Sequence, residues 1–118
     1  MIFIDDRHEI LFNSIVDRMR KQDCYHLAMA YLLALDSELR KHYTDVFDFD
    51  ADGIKINALN KGWQTGTSAK TTRLALNLWN GYCYEENGLP SKNYTPAEIF
   101  NSEYAPYYWQ AVKIRFYI

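Results

Sequence analysis

Four stretches of the chain repeat apolar side chains at helical spacing. Between residues 6 and 21, Leu11, Phe12, Ile15, Val16 and Met19 recur every three or four positions, while Arg7, Glu9, Asp17, Arg18 and Lys21 face outward. Asp5 and Asp6 stand where a cap is needed. Residues 24 to 35 are apolar on nearly every side, which requires neighbours all round. In the third stretch, from 68 to 84, Leu74, Ala75, Leu78, Trp79 and Tyr82 share one broad face that Leu76 and Cys83 extend. The fourth follows Pro106: Tyr108, Trp109, Val112 and Phe116 form an apolar face, and Gln110, Lys113 and Tyr117 a polar stripe.

Shorter elements fill the gaps. Ser37 is expected to cap a helix through Lys41, Ala58 to Trp63 to make one helical turn, and Thr95-Pro96-Ala97-Glu98 to open a further helix as a capping box. Residues 54 to 56 suit one short extended piece, and residues 85 to 93, EENGLPSKN, a polar loop. The expected fold is all-α: a compact bundle of about five to six helices around two apolar central helices (about 24–35 and 68–84), forming a single domain over residues 1–118.

Composition narrows the setting. Ten tyrosines, six phenylalanines and three tryptophans make the chain 16% aromatic, enough to fill a core and leave rings for a contact surface. A net charge of −2 disfavours a globally basic nucleic-acid binder. Cys24 and Cys83 are far apart, each inside an expected helix and without CxxC spacing, so they read as buried thiols in a reducing compartment. With an acidic start and no long apolar run, a cytoplasmic protein without a membrane span is expected.

The best candidate site is the start of the third helix. Thr65, Gly66, Thr67 and Ser68 supply a turn and capping hydroxyls, with Thr67 or Ser68 as the expected N-cap. Below them Lys70, Arg73, Asn77, Asn80 and Tyr84 follow one another by three or four positions, so they point the same way and could act on one ligand. Free first-turn amides, the positive end of the helix dipole and two cations suit a phosphate or carboxylate. The same helix would present Ser68, Lys70, Thr71 and Arg73 if 58–63 and 68–84 formed a helix-turn-helix, although the first helix is too short for one and the turn too long.

Other chemistry is thin. Asp23 and His26 are spaced to meet at a helix start, but Cys24 points away, so a metal there would lack ligands. Residues 48–53, DFDADG, match the first half of a calcium loop, yet Leu59 stands where the bidentate carboxylate belongs. His8 and Glu9 are adjacent and diverge. No catalytic residues, metal or cofactor are expected, because no nucleophile elbow, P-loop, HExxH or nucleotide fingerprint is present.

Asp23-Cys24-Tyr25-His26, the acidic Phe-Asp segment near 46–50, GWQTGTSAKTTRLALNLWNG at 62–81 and EIFNSEYAPYYWQAVKIR at 98–115 together resemble a family of small "domain of unknown function" proteins from Firmicutes genomes, phages and integrative elements. The resemblance covers nearly the whole chain and implies a helical, intracellular protein of a mobile element. It carries no assigned site residues. The expected function is therefore a non-enzymatic binding protein that engages a host or element protein, with nucleotide or small-anion capture at Thr65–Ser68, DNA binding through the same helix, and an unrecognised enzyme as the alternatives. A homodimer through the C-terminal aromatics is a further possibility.

Overall fold

Helices begin in this chain where a short polar side chain can accept the first free amides. In a computed structural model, which describes residues 1–85 and 87–118, the Asp5 carboxylate accepts from the His8 amide at 2.8 Å and opens α1 (Asp6–Arg18). Asp23 does the same for α2 (Cys24–Leu33), accepting from His26. Asp36, not Ser37, caps α3 (Ser37–His42), accepting from Glu38 and Leu39. α4 (Gly66–Asn80) is capped by Thr65 rather than by Thr67 or Ser68, because glycine can occupy the first helical position and leaves the hydroxyl one turn earlier to close the cap. Thr95 opens the short α5 (Pro96–Ile99), accepting from Glu98. α6 (Ala105–Phe116) has no side-chain cap and relies on proline in its first turn.

Two helices stop earlier than their apolar pattern suggests. α1 ends at Arg18 and Met19 is extended. α4 ends at Asn80 because Gly81 sits at φ +80°, a left-handed conformation that costs glycine little and redirects the chain. Tyr82, Cys83 and Tyr84 therefore lie beyond the helix, although they keep its periodicity. The extended piece is present as β2 (Gly53–Ile54), paired antiparallel with β1 (Phe47–Asp48) in a two-residue ladder. The expected turn at 58–63 is instead a 3-10 turn over Ile56–Asn60. The loop expected at 85–93 contains a 3-10 turn at Lys92–Tyr94 and an isolated bridge between Tyr84 and Pro90; Glu86 within it lies outside the described residues.

The centre of the molecule is α2. Every residue from Ala28 to Leu35 is at most 1% exposed, and α1, α4 and α6 pack around this helix, with α4 and α6 making the broadest contacts. Each of its fully buried leucines contributes roughly 1.5–3 kcal/mol by leaving water. The expectation of a mostly helical bundle around two apolar helices holds.

Polar atoms caught in this core are paired. His8 is completely buried: its Nε2–H donates to the Tyr31 carbonyl at 2.9 Å while Nδ1 accepts from the Ile4 amide at 3.1 Å, which fixes a neutral ring. The Tyr31 hydroxyl donates to the Ile2 carbonyl at 2.6 Å. Thr71 and Tyr108 join α4 to α6 through hydroxyls 2.6 Å apart. The Arg115 Nε–H donates to the Leu78 carbonyl at 2.8 Å, tying the two helices again.

α6 is rotated from the face its sequence suggests. Tyr108 and Ala111 point inward, whereas Trp109 and Phe116 are about half exposed, at 48% and 52%. Small Ala111 lets α6 approach the core closely, and aromatics on several sides of the helix hid this choice. Both cysteines are free and half-buried; Cys24 lies in α2, while Cys83 lies outside any helix.

Candidate binding surfaces

The residues at the start of α4 come together much as their spacing implies, but many of their polar groups already serve the fold. Thr65 Oγ1 accepts from the Ser68 amide at 3.1 Å, and Ser68 Oγ accepts from the Thr65 amide at 2.7 Å, a reciprocal capping box. The Ser68 hydroxyl also donates to Gln64 Oε1 and is fully buried. Gly66 is exposed and Thr67 half-exposed in the first turn. Lys70 donates its ammonium to the Asn101 carbonyl. Arg73 reaches Glu85 at 3.9 Å, and its Nε is buried without a partner among the described residues.

Glu85 is in turn held by donors from Ser91 and Asn93, which lower its pKa together with the Arg73 charge against the opposing effect of burial. Lower on the stripe, the Asn77 side chain donates to the Tyr82 carbonyl and Asn80 accepts from the Tyr82 amide, so both asparagines build the turn that ends α4. Tyr84 is exposed off the helix, edge-on to Tyr82. Thr71, expected to face a DNA groove, is fully buried, as is Ser68. With a five-residue 3-10 turn in place of a first helix, the helix-turn-helix geometry is not formed.

A second cluster was half legible in the sequence: Asp23 and His26 meet at the start of α2 as their spacing implies, but its third member, Asp52, had no local signal. The His26 ring, only 5% exposed, lies between two carboxylates: Nδ1 is 2.7 Å from Asp23 Oδ1, and Nε2 is 2.7 Å from Asp52 Oδ1. The ring can donate to both only when both nitrogens carry protons. Trp79 packs edge-on at 4.8 Å between centroids, with Phe47 beyond. Burial raises the Asp23 pKa, but its bonds from His26 outweigh this and leave it below the usual value.

Because the two carboxylates sit on opposite edges of the ring, they cannot converge with it on one metal ion; among the described residues no group of three His, Cys, Asp or Glu side chains is placed to hold one. The same pairing decides the fate of the acidic loop. Asp52 is turned to His26, and Asp48 accepts from the Asp50 and Ala51 amides, so the carboxylates of DFDADG do not wrap one centre. The cluster fastens the β1–β2 hairpin to the start of α2.

The third surface is the outer side of α6. Trp109, Lys113 and Phe116 project from it at helical spacing, with the Lys113 ammonium 5.9 Å from the Trp109 ring. The chain start lies alongside, since the Ile2 amide donates to Gln110 Oε1, and Met1 and Ile2 are exposed there. At the other end the Arg115 guanidinium lies 3.7 Å from the centroid of Tyr25 and 4.6 Å from that of Phe116. Trp109 and Phe116, two turns apart with Lys113 between them, thus span roughly 10 Å along α6.

These features define a small helical protein whose polar clusters mostly brace its own fold and whose α6 carries an exposed tryptophan and phenylalanine. By sequence the chain belongs to a family of unknown function (DUF6075), whose profile matches residues 1–117. No curated protein and no solved structure matches it. No helix among the described residues is long and apolar enough to cross a membrane.

Proposed function

We propose that the chain is a non-enzymatic binding protein of a bacterial phage or mobile element, working in the cytoplasm by occupying the surface of a host or element protein such as a defence or regulatory component. The observation that carries this reading is the apolar surface along α6. Scattered exposed apolar residues are ordinary, whereas an exposed tryptophan and phenylalanine two turns apart on one helix, with Lys113 between them and the exposed Met1 and Ile2 alongside, have the composition of a contact surface. A partner that fits presents apolar side chains with a carboxylate beside them, because the exposed Lys113 ammonium would otherwise lose solvation without compensation. The mobile-element setting rests on the resemblance of 62–81 and 98–115. The cytoplasmic setting is supported by two unpaired thiols.

The test compares the wild-type chain with Trp109→Ala combined with Phe116→Ala, both exposed positions whose loss leaves the core intact. A partner retained from host extract by the wild type and lost by the variant at unchanged melting temperature supports the reading. Equal retention by both proteins refutes the assignment to this face, and a concentration-dependent dimer abolished by the variant would make a second copy of the chain the occupant.

A further inference from the structure

We infer a second, small-ligand site, independent of the α6 surface, at a half-open cavity of about 230 Å³ lined by Ile56, Asn57, Leu59, Asn60 and Tyr82. Its construction follows from the backbone of the 3-10 turn at Ile56–Asn60. At three residues per turn, side chains three apart eclipse one another. Ile56 and Leu59 therefore form one row, and Asn57 and Asn60 the next. Tyr82 closes the far wall, held in place by edge contacts with Tyr84 and Tyr94 and by the asparagines that end α4. The result is an apolar wall beside a pair of amides.

The chemistry of the lining selects the ligand. None of the five side chains is charged, so a bare phosphate or carboxylate gains no ion pair there. The amides of Asn57 and Asn60 and the phenol of Tyr82 make no hydrogen bond to any described residue, and each asparagine offers two donors and an acceptor side by side. The volume lies below the roughly 300–1,000 Å³ of sites for drug-sized molecules, which leaves room for a single ring system. A neutral planar ring with adjacent donor and acceptor, placed against aliphatic and aromatic walls, meets all three conditions. The ligand class is a nucleobase, carried by a nucleoside: asparagine pairs bidentately with such an edge, and tyrosine offers its ring.

Two-dimensional NMR of the full chain, titrated with adenosine, guanosine, cytidine and uridine in turn and with glucose as a non-planar control, tests the site. At least one nucleoside is expected to give saturable shifts confined to the Asn57 and Asn60 side-chain amides and the Tyr82 ring at millimolar concentration. Asn57→Ala with Asn60→Ala, both at exposed positions, should weaken binding at least tenfold while leaving the remaining spectrum in place, and Tyr82→Phe should weaken it less. The inference is overturned if no nucleoside gives saturable shifts at this site, if glucose binds there as well as the nucleosides do, or if the double variant binds as tightly as the wild type.

Discussion

Replacing His26 with alanine isolates the bracing role of the buried histidine. Two bonds to carboxylates disappear with the ring. Hydrogen bonds involving charged groups contribute roughly 1.5–3 kcal/mol each, and the Asp52 bond belongs in that range because its side chain is 22% exposed and its partner 5%. The Asp23 bond counts for about 1 kcal/mol or less, since that side chain is 46% exposed and screened by water. Loss of the edge contact with Trp79 adds about 0.5–1 kcal/mol.

A destabilisation of about 3 kcal/mol is expected. With unfolding entropy of ~2.1 cal/mol/K per residue over 118 residues, this lowers the melting temperature by roughly 12 °C. Thermal unfolding followed by far-UV circular dichroism at neutral pH measures it, and a double-mutant cycle with Asp52→Asn should return a coupling of about 1–2 kcal/mol. A loss below about 1 kcal/mol, or full additivity of the two substitutions, would refute the view that His26 holds the hairpin to α2.

Two further expectations concern polar side chains that the fold itself uses, the buried His8 and the exposed cap Thr65. Burial lowers the His8 pKa below its ordinary 6.5; its bond to the Tyr31 carbonyl opposes this, Arg40 adds to it and Asp5 opposes it. The unfolded chain therefore takes up this proton first, so the stability that neutral His8 contributes is complete above pH 6.5 and is lost as pH falls through the folded-state value. Urea midpoints measured on either side of pH 6.5 should decline more in the wild type than in His8→Gln; equal declines would exclude His8 as the source. Thr65→Ala removes one half of the capping box and should cost roughly 0.5–2 kcal/mol, read as a lower urea midpoint at unchanged slope, with Thr65→Ser restoring most of it.

What could be read from the sequence was whatever depends on near neighbours. The apolar runs located α1, α2, α4 and α6; Asp5 and Asp23 marked the starts of α1 and α2, and Thr95 that of the short α5. Boundaries failed where one residue overrides a periodic pattern, as Gly81 does at the end of α4 and as Gly66 does by letting Thr65 act as the cap. The inward side of α6 was misassigned because aromatic residues occur all round it, so that the choice fell to Ala111 and to the bond between Tyr108 and Thr71.

His8 could have been found, since it stands one turn before Phe12 on the face that also carries Ile15 and Met19. The link between His26 and Asp52 could not: the residues are 26 positions apart, and only the hairpin brings them together. The stripe below Thr65 was legible as a stripe, but its partners were not, because Lys70 bonds 31 positions away and Arg73 meets a glutamate beyond the end of the helix.

Asp52 also has a backbone angle of φ +56°, in the left-handed region where most side chains are disfavoured. Position 52 consequently acts as a double filter on substitution. Glycine would fit the turn and abandon the histidine; glutamate would keep a charge but fit the turn less well; asparagine tolerates the backbone and retains an acceptor without the charge. Aspartate is the side chain that meets both demands, so a single position decides whether the hairpin can form its turn and whether, once formed, it stays attached to the rest of the molecule.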